Sequence, residues 1–332
     1  SFYQYAKIDN PQIFRDYLYG IWQKLDVLGR VYVAKEGINA QISVPKHHFE
    51  QFKTELYEIS FLNGVRLNIA VDNGDVEFPF LKLKIKVRDK ILADGLNDET
   101  FDVTNKGKHL NAAEFNALTD DPNTILIDFR NHYESEVGHF QGAITPDVDT
   151  FRESLPYIEE KYLKGNEDKN LVMYCTGGIR CEKASAWFKH RGFKNVHQLE
   201  GGIIKYANEC KEAGLPNKFI GKNFVFDERR AERITDDVIA QCHQCGKPAD
   251  IHVNCANEAC HLLFIQCDEC REHMNGCCSD ECKTIAALPE EERRALRKGK
   301  VVSNKIFKKG RSERLIYKPN KEKPFDLLDY NK

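Results

Sequence analysis

The chain has 332 residues, more than one compact core normally organises, so two or three domains are expected. With 41% hydrophobic and 30% charged residues the composition is that of an ordinary globular protein, and it excludes a collagen-like or low-complexity chain. No apolar run approaches the roughly 18 residues a membrane helix needs, and Ser1–Gln4 lacks the basic start and apolar core of a secretory signal. A soluble, cytoplasmic protein with no membrane partner is therefore expected. The net charge of -2 decides nothing about nucleic acid, but its distribution is informative.

Residues 1–88 read as a small α+β domain. Phe2 to Lys7 is strand-like, and Pro11 opens a helical stripe of Ile13, Phe14, Tyr17, Leu18, Ile21 and Leu25. Arg30–Ala34 and Ile38–Val44 flank a turn at Gly37. Phe49, Phe52 and Leu56 give a second helix, and Val65–Val71 and Phe80–Val87 supply the last strands. That order is the ferredoxin-like pattern. Lys82, Lys84, Lys86 and Arg88 alternate with apolar residues, so the four cations share one strand face. Two readings stand: an RNA contact, or the wet face of an edge strand kept from aggregating by lysines.

Residues 89–110 read as a linker and 111–215 as a second domain. Asn111–Leu118 and Glu182–His190 carry helical patterns, while Thr124–Asp128, Leu171–Tyr174 and Val196–Leu199 are strands. Alternating buried strands and helices predict a mostly parallel sheet. Beyond Pro216 the pattern becomes irregular. Residues 216–288 hold nine of the twelve cysteines, between Cys242 and Cys282, and 289–332 form a basic helix and tail.

The segment Met173-Tyr174-Cys175-Thr176-Gly177-Gly178-Ile179-Arg180-Cys181 carries the chemistry. A strand ends, a cysteine follows, two glycines permit a tight loop, and a helix starts near Arg180. Successive backbone N–H groups can then converge on one centre, an anion nest that lowers a thiol pKa. Arg180 adds a cationic fork. Cys181 reads either as a thiol that resolves a Cys175 persulfide into a disulfide or as an inert packed cysteine.

This loop closely resembles the rhodanese active loop. Ile127-Asp128-Phe129-Arg130-Asn131 resembles the strand-end motif of that family, and Glu134 with Gly138-His139-Phe140-Gly142-Ala143-Ile144 resembles the segment that follows it. The resemblance makes Cys175 the persulfide-carrying nucleophile. Cys175 to Arg180 is the six-residue loop of sulfurtransferases, where the related phosphatases have seven. Taken with Tyr32-Val33-Ala34-Lys35-Glu36-Gly37-Ile38-Asn39-Ala40 and the late cysteines, the whole chain resembles the bacterial tRNA uridine hydroxylase family. That resemblance implies oxygen-dependent 5-hydroxylation of wobble uridine 34 in tRNA, with molecular oxygen as co-substrate and Cys175 as essential thiol. Asp128 and Arg130 would then either support the loop or engage substrate. The resemblance of the loop to rhodaneses, taken alone, implies instead sulfur transfer to tRNA, protein or a small thiol, and a non-catalytic RNA-binding module is the third reading. No NAD or flavin fingerprint is present, since Gly201-Gly202-Ile203 lacks the glycine spacing. No iron triad stands out, and the electron or sulfur donor is not encoded.

From Arg293 to Lys323 there are thirteen Lys or Arg and two acids. Arg293, Arg294, Arg297, Lys298, Lys308, Lys309, Arg311 and Arg314 are candidates for phosphate contacts, the alternative being a solvated tail. The late cysteines are expected to hold about two structural zinc ions. Cys242, Cys245, Cys267 and Cys270 form the first site. Cys255, Cys260, Cys282 and one of Cys277 or Cys278, taken as Cys278, form the second. A sequential grouping of Cys242 and Cys245 with Cys255 and Cys260 competes, as do disulfides and an iron–sulfur cluster, and His243, His252, His261 or His273 could replace a thiolate.

Overall fold

A computed structural model describes residues 1–71, 79–298 and 312–315. In the N-terminal domain β1 (Phe2–Tyr5), β2 (Leu28–Ala34), β3 (Gly37–Ser43) and β4 (Leu83–Val87) form one sheet in the order β1-β3-β2-β4. β3 runs antiparallel to both β1 and β2, and β4 runs parallel to β2. The helices α1 (Pro11–Trp22) and α2 (Phe49–Glu58) cover one face. α1 starts where expected because Asn10 caps the Ile13 N–H and Pro11 needs no partner for its nitrogen. Leu18, Trp22, Val31, Val33, Ile38, Phe52 and Ile85 are buried beneath these helices. The alternate residues of the strands are left on the opposite face. The expected strand at Val65–Val71 does not form; within it Asn68 exchanges backbone hydrogen bonds of 2.8 Å each way with Ser1.

The second domain is the parallel sheet its pattern predicts. β5 (Lys108–Leu110), β6 (Thr124–Asp128), β8 (Asn170–Tyr174) and β9 (Asn195–Leu199) lie in the order β5-β9-β8-β6, all parallel. Between β6 and β8 the chain forms the single turn α4 (His132–Ser135), the short strand β7 (Gly138–Phe140) and α5 (Phe151–Ile158). The helices α3 (Ala112–Thr119) and α7 (Gly202–Ala213) bury one sheet face, and α5 and α6 (Ile179–His190) bury the other. Two corrections arise. Residues 89–110 are not a free linker: they supply β5, and Ile91 and Asp94 are buried. The irregular stretch after Pro216 contains β10 (Phe219–Phe224), which pairs antiparallel with β7 and with β11 (Ala231–Arg233). The central body therefore extends into what reads as the cysteine region.

That region has the hairpin β12 (His252–Asn254) and β13 (Leu263–Ile265), then α8 (Asp268–His273), α9 (Asp280–Ala286) and α10 (Glu290–Arg297). Among the described residues no helix is long and apolar enough to cross a membrane.

Candidate active site

β8 leaves the sheet at Tyr174, and Cys175 stands at its carboxyl end, where parallel sheets place ligands. The chain turns through Gly178 at φ 100°, a conformation that L side chains rarely adopt, and α6 begins at once. The Gly178 N–H donates to the Cys175 Sγ at 3.2 Å, and the N–H groups of Arg180 and Cys181 further favour the charged sulfur. Burial pushes the Cys175 thiol up. The Cys181 thiol, the Arg180 charge and the backbone donors outweigh it and bring the pKa down to about 6. Cys175 is a thiolate at neutral pH. Burial, reinforced by that thiolate, drives Cys181 the other way, well above the ordinary thiol range. The outer side of the loop is held by α7, whose Ile203 and Ile204 N–H groups donate to the carbonyls of Cys175 and Thr176 at 3.0 and 3.3 Å. Gly202 makes this approach possible, since a Cβ there would lie 2.4 Å from the Cys175 carbonyl oxygen.

Arg180 is committed to a partner that the sequence reading did not assign. Its Nη1 and Nη2 donate to Glu134 Oε1 and Oε2 at 2.7 and 2.8 Å, a bidentate and almost fully buried pair. Burial would raise the Glu134 pKa, but Arg180 holds it below the usual range. Arg180 thus positions the loop and its field stabilises the thiolate. Asp128 and Arg130 require a correction. Both are fully buried, with Arg130 Nη2 donating to Asp128 Oδ2 and to the Gly138 carbonyl at 2.6 Å each. Neither borders the cavity in front of Cys175, and their contacts, which anchor β6 to β7, favour the supporting role over substrate contact.

That cavity, of about 740 Å³, lies between the two domains. One wall is the uncovered face of the N-terminal sheet, with Arg30, Tyr32, Asn39 and Gln41, and another is Phe151 and Arg152 at the start of α5. The domains are pinned together around it. Asn68 Nδ2 donates to the Gly177 carbonyl at 3.1 Å. Lys183, buried on α6, bridges Glu36 at 3.0 Å and Asp94 at 2.6 Å. The cations Lys84 and Lys86 lie opposite Arg30 and Tyr32 across the β2–β4 pairing, so they share the face that walls the cavity. Arg88 sits over the Tyr32 ring at 5.8 Å. Lys82 and Lys84 also line a groove of about 500 Å³ that shares Arg30 and Phe226 with the cavity. The charges of Lys84 and Arg88 hold the Lys86 pKa below its usual value, the mark of cations crowded together.

The C-terminal cations stand differently. Lys308, Lys309 and Arg311 lie outside the described residues. Arg293, Arg294 and Arg297 on α10 pair with Glu290, and Arg297 also with Glu258. Lys298 follows the helix. Arg314 turns inward, pairs with Glu281 and donates to the Cys282 sulfur at 3.3 Å.

The cysteines gather into two groups of four, Cys242, Cys245, Cys267 and Cys270, and Cys255, Cys260, Cys278 and Cys282. Within each group the sulfurs lie within 4.8 Å of one another. Sulfur separations of 3.6 Å for Cys245–Cys267 and 3.7 Å for Cys260–Cys278 and Cys278–Cys282 approach the edge of a tetrahedron with metal–sulfur bonds of about 2.3 Å. The arrangement is interleaved, not sequential, and fits a metal ion in each group. Cys277 is outside both, its thiol turned to the Asn275 carbonyl. No histidine joins either group: His243 binds Glu136 at 2.6 Å and accepts from the Ile265 N–H, and His252 packs against Phe224.

Family models match along the chain: the UPF0176 acylphosphatase like domain over residues 1–91, the rhodanese-like domain over 111–209 and the rhodanase C-terminal region over 220–283. A solved rhodanese-like domain from Anabaena sp covers 34% of this chain and 78% of its own, at 16% identity and a TM-score of 0.27, an overlay too loose to add to that match. Proteins called tRNA uridine(34) hydroxylase from Escherichia fergusonii and Photorhabdus laumondii are each 57% identical to it over 312 residues, and one from Salmonella heidelberg is 58% identical. In every case the match covers 94% of this chain and 88% of the relative. The chain belongs to the tRNA uridine(34) hydroxylase family.

Proposed function

We infer that the protein hydroxylates C5 of uridine 34 in tRNA, using molecular oxygen as co-substrate and Cys175 as the reactive thiol. The observation that carries this reading is the near-full-length identity to hydroxylases, joined to an ionised cysteine that faces a cavity of nucleotide size. A target base must leave its stack to reach such a sulfur. Tyr32 offers a ring to receive it, and Asn39 and Gln41 offer amides to its polar edge. The crowded cations Lys82, Lys84, Lys86 and Arg88 hold the flanking phosphates. The C-terminal basic residues are the weaker part of the RNA reading, because those on α10 already have carboxylate partners.

Three structural assignments accompany this reading. The N-terminal domain is ferredoxin-like: the Ser1–Asn68 exchange puts the chain after α2 beside β1, where that fold has its fourth strand, and β4 is an added strand beside β2. The two thiolate groups hold one zinc ion each, in closed structural sites. The protein works in the cytoplasm, where thiols stay reduced.

The test is incubation of purified protein with unmodified tRNA in air and under argon, with nucleosides read by mass spectrometry. Expected is 5-hydroxyuridine in air alone and none with Cys175→Ser. Sulfur added to uridine without oxygen would instead favour persulfide transfer, the chemistry that the six-residue loop performs elsewhere.

A further inference from the structure

Hydroxylation by dioxygen leaves one oxygen atom to be reduced to water, which takes two electrons and two protons from a second reductant. Two thiols that close into a disulfide release that number. Cys175 and Cys181 are so placed. Both sulfurs lie in one buried cluster, with the Cys181 thiol directed at the Cys175 sulfur. Cys181 stands in the first turn of α6, directly after the loop whose Gly178 N–H meets the Cys175 sulfur at 3.2 Å, six residues from Cys175. Cys175 borders the cavity and Cys181 does not, so one thiol meets substrate while the other waits behind it. Of the other ten cysteines, Cys210 is buried on α7, and the rest lie in the cysteine-rich region.

We propose that Cys175 and Cys181 together are the two-electron donor of the reaction and close into a disulfide once in every turnover. The proposal rests on the hydroxylase reading. Dioxygen first converts the uracil C5–H into a C5 hydroperoxide: the C5–H bond breaks, a C5–O bond forms, and the hydrogen ends on the outer oxygen. The Cys175 thiolate attacks the outer oxygen: an S–O bond forms, the O–O bond breaks, and the oxygen on C5 takes a proton, giving 5-hydroxyuridine and a Cys175 sulfenic acid. The Cys181 sulfur then attacks Cys175: the S–S bond forms, the S–O bond breaks, and the hydroxyl leaves as water with the Cys181 proton. In sum, one dioxygen, one C–H and two thiols give one C–OH, one disulfide and one water. The high Cys181 pKa suits this order, keeping that thiol protonated until the sulfenic acid appears. An external dithiol must then reopen the bond.

The test uses the full chain, reduced, freed of reductant without air, mixed with excess unmodified tRNA and then exposed to oxygen. After acid quench and alkylation, nucleosides and cysteine peptides are read by mass spectrometry. Expected is about one 5-hydroxyuridine per chain, matched by a Cys175–Cys181 disulfide, with further turnover on adding a dithiol. In Cys181→Ser, whatever 5-hydroxyuridine forms is matched by Cys175 trapped as its sulfenic acid with a 1,3-diketone, and no disulfide appears. Product made while both cysteines stay reduced, repeated turnover without reductant, or a disulfide that forms as fast without tRNA overturns the proposal. The first two leave the hydroxylase reading standing. Failure to form 5-hydroxyuridine with or without dithiol overturns the reading itself.

Discussion

Cys175 is buried at the edge of a cavity in surroundings that favour its thiolate, and this environment can be measured directly. Its thiol pKa of about 6 lies below the usual value of about 8.5. Alkylation by iodoacetamide should therefore rise with pH through about 6 and flatten near neutrality. The shift has a folding counterpart: the stabilisation from this group is full above the ordinary thiol pKa and is lost as pH falls through about 6. Replacing Arg180 by Gln should move the alkylation inflection up by roughly one to two units. It should also cost roughly 3–5 kcal/mol of stability, because Glu134 is left buried without its cation. An unmoved inflection would show that the Cys181 thiol and the backbone donors hold the thiolate without the Arg180 charge. The loop itself was legible in the sequence, since strand end, cysteine, glycines and arginine are contiguous. Glu134, Asn68 and Gly202 were not legible in these roles, because each meets the loop across a long stretch of chain. Asp128 and Arg130 misled for a related reason: charge beside a reactive loop suggests chemistry, and burial is invisible in sequence.

At the scale of elements, β4 joins two properties that a strand rarely combines. One face packs Leu83 and Ile85 into the core, and the other presents Lys84 and Lys86 beside Arg30 and Tyr32. The period-two pattern revealed the shared face, but which neighbour it joined depended on the parallel pairing with β2. Charge reversal at Lys84 and Lys86 should weaken tRNA binding and flatten its salt dependence by about one unit of slope for each phosphate left without its cation. Cys175 alkylation without RNA should not change. An unchanged slope would leave β4 as a solvated edge. The segment 219–224 escaped sequence reading because Phe219-Ile220-Gly221-Lys222-Asn223-Phe224 has no clean alternation, and its partner β7 lies some eighty residues earlier.

Among the described residues the molecule is three units: buried polar contacts join the first to the second, and an apolar cluster with Tyr133, Val137, Phe224, Ala249 and Ile265 joins the second to the third. Lys183 shows why their arrangement was hard to foresee: a lysine on a helix is expected in water, yet this one is buried and joins Glu36 of the first domain to Asp94 of the connector. The cysteine region was more legible, since paired cysteines at short spacing leave few groupings. The remaining ambiguity, Cys277 against Cys278, is decided by geometry. Elemental analysis should find about two zinc ions per chain in the wild type, about one in Cys278→Ser, and still about two in Cys277→Ser. The reverse pattern would exchange the two residues' roles.

The interleaving of the thiolate groups bears on how the protein is made. A ribosome releases Cys242, Cys245, Cys255 and Cys260 before Cys267 exists, so the first four thiolates to emerge are not a native set. Zinc met at that moment can be captured by the sequential foursome, and native coordination then requires ligand exchange as Cys267 and Cys270 arrive. The β12–β13 hairpin opposes the early capture, because its pairing carries Cys255 and Cys260 to the second group and away from Cys242. Hairpin closure takes about microseconds, whereas the chain grows by roughly 5–20 residues each second, so the hairpin can close before the next ligand emerges. Metal loading in this chain would thus be a race between early capture at Cys242–Cys260 and closure of the β12–β13 hairpin, which becomes possible only just before Cys267 emerges.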